Sequence, residues 1–397
     1  MNPTVRPIAY RISAAQRAAH LFEVTLTIPA PAAQQQLSLP VWIPGSYLVR
    51  EFAKNLQGLR AQQRGATLAL QQLDKCTWQI DCQAGTTLTV RYEVYAFDNS
   101  VRTAWLDSQR GFFNGTSLCL RVHGQAQQAH RLDLIRQGLP RTWQAATGLA
   151  PLKTDTQGFG SYLAADYDEL VDAPVMLGEF WSGQFVASGV PHRFVVEGAS
   201  ASFDGARLLA DTRRICESAI RFWHGDKRRA NNRPPHANYL FMLNAVDKGY
   251  GGLEHRNSTA LICQRADLPR QGQASGNGAK DGYTTLLGLI SHEYFHTWNV
   301  KRLRPIEFAQ YDYSRENHTE LLWFFEGFTS YYDDLLLRRA GLIDNTTYLT
   351  LLSKTVNQVL QTPGRRQQSV AQASWDAWIK YYRPDENTPN ATVSYYT

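Results

Sequence analysis

His292-Glu293-Tyr294-Phe295-His296, entered through the apolar run Thr285-Leu286-Leu287-Gly288-Leu289-Ile290, organises the reading of this chain. Residues four apart share one face of a helix, so a helical run here lets both imidazoles reach a single ion. Glu293, beside the first histidine, is placed to handle the proton of a water held at that ion. Two histidines that merely satisfy core hydrogen bonds would not also need a glutamate between them.

Two imidazoles leave such a site incomplete. A catalytic zinc takes three protein donors and keeps its fourth position open. A third histidine in the metzincin form would require Gly at 299 and His at 302, and the chain has Asn299 and Arg302 there. The alternative is a carboxylate from a second helix: Glu307, Glu316, Glu320 or Glu326. Glu326 is embedded in the bulky apolar stretch Leu321-Leu322-Trp323-Phe324-Phe325-Glu326-Gly327-Phe328. A carboxylate there is expensive to bury unless it is paired or bound to metal, which favours it. Glu316, among polar residues, is the second choice.

Around these motifs the chain changes character. Its 397 residues suggest two or more domains. Phe22, Val24, Leu26 and Ile28 alternate with polar residues, as do Leu88, Val90, Tyr92 and Val94, the period of half-buried strands. Strands without helices between them point to an antiparallel sandwich. Near residue 200, Leu208, Leu209, Thr212, Ile215, Cys216, Ala219, Ile220 and Trp223 take up helical spacing, and Tyr239 to Leu243 reads as a buried strand. Helices are predicted around 283–300, 319–340 and 345–361, the second ended by Gly341 and the third by Pro363-Gly364. Gln271 to Lys280, rich in Gly, Ser and Gln, reads as a mobile loop. The expected class is α+β: a β-sandwich domain over 1–175, then a mainly helical domain over 176–397.

Composition excludes several function classes. The net charge of +6 is spread along the chain, with no long basic block of a nucleic-acid kind. Five cysteines with no C-x-x-C pair argue against a disulfide framework and against a cysteine zinc site. Met1 to Arg6 opens no apolar leader, and no run approaches the length of a membrane span. The expectation is a soluble, cytoplasmic protein with no nucleic-acid or membrane partner.

Longer motifs carry a resemblance. Ser291 to Arg302, followed by Glu326-Gly327-Phe328-Thr329-Ser330-Tyr331-Tyr332, resembles the glycyl aminopeptidase family of gluzincin metallopeptidases. So do Trp42-Ile43-Pro44-Gly45-Ser46-Tyr47, Ser100-Val101-Arg102-Thr103-Ala104-Trp105 and Tyr381 to Asn387. The resemblance implies an N-terminal β domain, a thermolysin-like catalytic domain and one Zn2+ ion held by His292, His296 and Glu326. It also implies a C-terminal PDZ domain. With Thr397 as the last residue, the expectation is a catalytic domain cut short at its C-terminal end.

Gly251-Gly252-Leu253-Glu254-His255 resembles the cleft-edge segment of the related aminopeptidase N family, whose glutamate binds the substrate's α-amine. Carried over, Glu254 is the amine anchor, with Gly251 and Gly252 beside the substrate. Those enzymes also hold the oxyanion with a downstream tyrosine. Tyr396 is the first candidate, then Tyr395 and Tyr382. The activity implied is removal of small N-terminal residues, Gly or Ala, from peptides with a free N-terminus, with Glu293 as general base toward a zinc-activated water. The alternatives are a zinc endopeptidase of the same clan and a non-catalytic peptide-binding protein.

Overall fold

A computed structural model describes residues 6–225, 233–272 and 282–397. Most of the segment expected to be a mobile loop lies outside these residues. The chain divides into two compact units, Met1–Glu179 with Tyr313–Arg315, and Phe180–Asp312 with Glu316–Thr397.

The first unit is β structure built on the alternating strands. In Leu21–Ile28, Phe22, Val24, Leu26 and Ile28 are buried, and in Leu88–Tyr95 so are Leu88, Val90, Tyr92 and Val94. The two strands pair antiparallel, with Phe22 opposite Val94 and Val24 opposite Tyr92. The apolar sets therefore meet on one face, as the pleat requires. They lie in an eight-stranded sheet, beside two four-stranded sheets.

The antiparallel expectation needs one correction. Ile8–Gln16 runs parallel to His130–Ile135 within the large sheet. A parallel pair needs a long connection, and here the intervening chain builds most of the other strands.

The second unit carries the functional motifs, and it is less purely helical than expected. A five-stranded sheet lies in the order Trp181–Ala187, Val190–Glu197, Tyr239–Val246, Ser258–Gln264, Gly251–Glu254. Tyr239–Val246 pairs parallel with both neighbours and is buried almost throughout, which explains its unbroken apolar run. Gly251–Glu254 is the terminal strand of this order among the described residues, antiparallel to Ser258–Gln264.

Gly205–His224 begins at Asp204, whose side chain accepts from the Arg207 N–H, and buries the apolar face read from the sequence. The motif helix, Gly282–Phe295, is apolar nearly all round and packs against Ser258–Gln264 and Gly251–Glu254. It ends five residues earlier than predicted. Beyond Phe295 the chain turns through bonds such as Lys301 N–H to the His296 carbonyl.

The next helix runs from Phe328 to Arg339 and is preceded by a π-helical turn, Trp323–Gly327. Gly341 follows at φ +68°, and the N–H groups of Gly341 and Leu342 close on Arg338 and Leu337, a helix end of the expected kind. Asn345–Gln361 forms the last long helix, stopping before Pro363.

Candidate metal centre

Three elements converge on one point. The motif helix presents His292, the turn just past its last residue presents His296, and the π-turn presents Glu326 against them. His292 Nε2 and His296 Nε2 are 3.0 Å apart. Glu326 Oε2 is 3.2 Å from His296 Nε2 and 3.6 Å from His292 Nε2. Donors about 2.0–2.2 Å from a tetrahedral zinc sit roughly 3.3–3.5 Å from one another. The observed spacings straddle that figure, so the donor set fits one small divalent ion. It is the one such cluster of His, Cys, Asp or Glu among the described residues. Glu307, Glu316 and Glu320 are exposed and outside it.

The far side of each imidazole is also held. His292 Nδ1 lies 3.0 Å from Asp333 Oδ2, and His296 Nδ1 lies 2.7 Å from the Asn299 carbonyl. An Nδ1–H donated to these oxygens leaves the Nε2 lone pair aimed at the site in both rings. Sequence reading missed both partners. Asp333 stands two helical turns after Glu326, a spacing that puts it on the same face and could have revealed it.

Burial and mutual proximity set the protonation of the three donors. Burial pushes the Glu326 carboxyl upward, but the adjacent imidazoles of His296 and His292 outweigh it and hold the group down at about 2. Burial disfavours charge on His292 and His296 too. It is overridden at His292 by Asp333 and Glu326, and at His296 by Glu326 and Glu254, so both are raised. Buried donors that must borrow protons to coexist form a cation-seeking set.

Glu293 is 5 % exposed and Glu254 is 4 % exposed. Among the described residues, Glu293 Oε2 and Glu254 Oε1 have no hydrogen-bond partner. Burial, reinforced by the charges of Glu254 and Glu326 and opposed by the two histidines, raises the Glu293 carboxyl to about 7. Gly252 lies directly against it: a Cβ there would collide with the Glu293 carboxylate. Gly251 precedes it in the terminal strand that carries Glu254.

Tyr396 stands beside the donors, its ring 6.3 Å from that of His292 and 5.4 Å from that of Tyr381. This position depends on Gly327, where a Cβ would come within 2.9 Å of the Tyr395 carbonyl. Tyr395 is buried against Tyr381, and Tyr382 pairs with Tyr381. Tyr396 is in ring contact with a donor histidine, His292.

Two histidines at the end of one helix, a carboxylate from the following π-turn and a sheet strand packed on that helix make a donor set of the kind found in metallopeptidases. The comparisons agree. Residues 9–179 match the model described as Peptidase M61 N-terminal domain, and residues 285–397 match that of M61 glycyl aminopeptidase. A crystal structure of an aminopeptidase N family protein from Idiomarina loihiensis superposes with a TM-score of 0.92 at 43% identity. The match covers 98% of this chain and 64% of that one. An M1 zinc metallopeptidase from Deinococcus radiodurans shares the fold at 14% identity, TM-score 0.54, covering 98% of this chain and 88% of its own. Legionella pneumophila aminopeptidase A, in complex with aspartic acid, does so at 13% identity and TM-score 0.52, covering 84% and 38%. No curated protein matches. The chain belongs to the M61 glycyl aminopeptidase family. It spans about two thirds of the length of its Idiomarina relative.

No helix among the described residues is long and apolar enough to cross a membrane.

Proposed function

We propose that this chain is a zinc aminopeptidase that removes small N-terminal residues, Gly or Ala, from peptides. The observation that carries the reading is the pair of buried carboxylates, Glu254 and Glu293, each with an oxygen lacking a hydrogen-bond partner among the described residues, beside the three-donor set. A buried anion needs a cationic or donor partner. The substrate's α-ammonium would supply one to Glu254, and a water or the leaving amine would supply one to Glu293.

Zinc held by His292, His296 and Glu326 would act as a Lewis acid and make a bound water acidic near neutral pH. The chain's own groups do the rest. Glu293 takes the proton of the attacking water and delivers it to the leaving amine. Tyr396 donates its hydroxyl to the oxygen that gains charge as the carbonyl carbon becomes tetrahedral. Glu254 reads the free amine by a charge-assisted contact, which sets the cut one residue from the N-terminus. The terminal strand, Gly251–Glu254, offers backbone groups that can pair with an extended peptide. The preference for small first residues comes from the family's description and is part of the proposal.

The test is a panel of aminoacyl reporter substrates with elemental analysis. We expect one zinc per chain and turnover highest on Gly and Ala. A chelator should abolish turnover and zinc should restore it. A protein with stoichiometric zinc and no turnover on any substrate would support the non-catalytic binding alternative.

A further inference from the structure

Asn299 connects the two ligand-bearing elements. Its backbone carbonyl accepts from His296 Nδ1 at 2.7 Å. Its side-chain amide reaches the other way, into the π-turn that carries Glu326. Asn299 Nδ2 lies 3.2 Å from the Phe325 carbonyl, 3.4 Å from the Phe324 carbonyl and 3.2 Å from Thr329 Oγ1. Thr329 Oγ1 in turn donates to the Phe325 carbonyl at 2.6 Å. Asn299 is 2 % exposed and Thr329 is fully buried.

The geometry of the turn explains why such a pin is needed. A π-turn inserts one residue into the helical ladder, so carbonyls on it are displaced from the regular i→i−4 bonds. A carbonyl oxygen on the turn has a second lone pair that can take a further donor. Here the donors are the Asn299 amide and the Thr329 hydroxyl, and the carbonyls they hold belong to the two residues just before Glu326. Glu326 is therefore anchored through its own backbone to the residue that orients His296.

We infer that Asn299 is a positioning residue of the metal centre: it fixes the separation of His296 from Glu326 and so sets metal affinity. The inference rests on the metal reading above. Its role differs from that of Asp333, which touches one ligand only. Asn299 couples two ligands on different elements, so removing its amide should loosen the distance between donors without removing any donor. The His296 contact, made by the backbone, survives substitution of the side chain.

The experiment is zinc affinity by chelator competition, with the melting temperature of the metal-free protein measured alongside. Asn299→Ala should weaken zinc binding about 10- to 100-fold, the range found when a group supporting a metal ligand is removed. The metal-free melting temperature should fall by only a few degrees. Thr329→Val removes the second donor to the same carbonyl and should weaken binding by a smaller factor; it carries the test if Asn299→Ala does not fold. A zinc affinity within twofold of wild type in the folded variant overturns the inference while leaving the metal site intact. So does a large loss of metal-free stability with affinity unchanged. Wild-type protein that binds no zinc overturns the metal reading and this inference with it.

Discussion

In the proposed mechanism Glu293 is the residue on which chemistry depends, and burial raises its carboxyl toward neutrality. It is buried, with Glu254 and Glu326 close enough to disfavour its charge. A general base is most useful when its pKa lies near the working pH. Glu293→Gln keeps the shape of the side chain and removes its basicity. We predict zinc retained at wild-type stoichiometry and hydrolysis reduced by about 10²-fold or more; near-native turnover in the zinc-loaded variant would contradict the role. Gly252 makes a second prediction at this scale. Its missing side chain is the space that Glu293 occupies. Gly252→Ala should push the carboxylate aside and lower kcat at least tenfold, because small misplacement of a catalytic group is costly. Metal content should be unchanged, and kinetics with elemental analysis on one sample would show both.

At the level of elements, the centre is two helices locked face to face. The motif helix supplies two imidazoles, and the π-turn with its following helix supplies Glu326 and, seven residues on, Asp333. Asp333→Ala would leave His292 without its Nδ1 acceptor. We predict a loss of zinc affinity of about 10- to 100-fold, with the His292 ring free to change tautomer; unchanged affinity by chelator competition would show that the ring is held by packing alone.

The legibility of the site follows from the same geometry. His292 and His296 were readable because i, i+4 spacing is a helical signature. Glu326 was readable because a carboxylate in an apolar helix demands a partner. Asp333 has a spacing from Glu326 that points to it, but it falls beside Asp334 in a stretch that resembles an ordinary solvated helix surface. Asn299 was not readable, because it works through a backbone carbonyl and through a π-turn, and neither leaves a mark in hydrophobic periodicity. The alternating strands of the first unit were equally plain, while the parallel pairing of Ile8–Gln16 with His130–Ile135 joins segments too far apart in sequence for local pattern to reveal.

Over the whole molecule, stability has a pH dependence separate from catalysis. Behind the motif helix, Tyr294 lies between two buried histidines. His192 Nε2 is 3.0 Å and His236 Nε2 is 3.2 Å from the Tyr294 hydroxyl, and His192 Nδ1 is 2.9 Å from the Val190 carbonyl. An Nδ1–H donated to that carbonyl makes Nε2 of His192 the acceptor of the tyrosine proton. Burial depresses His192 to about 4 and His236 to about 3. An unfolded histidine titrates near 6.5, so between these values the unfolded chain binds more protons. The stability contributed by neutral His192 and His236 is therefore fully present above about pH 6.5 and is lost as pH falls toward 4 and 3. In metal-free protein the raised ligand histidines act in the opposite sense, so the test is a difference. His192→Gln should show a shallower fall of melting temperature between pH 6.5 and 4 than wild type does. Identical slopes would show that this histidine stays neutral in both states or is paired differently.

In the proposed mechanism a free α-amine, read by Glu254, directs cleavage at a zinc centre. The most direct measurement compares hydrolysis of one Gly- or Ala-initiated peptide with that of its N-acetylated form by zinc-loaded protein. We predict release of the first residue from the free peptide, at least 100-fold slower reaction of the acetylated one, and loss of this discrimination in Glu254→Gln. Equal cleavage of both peptides by the wild-type protein would contradict the account and point to an endopeptidase.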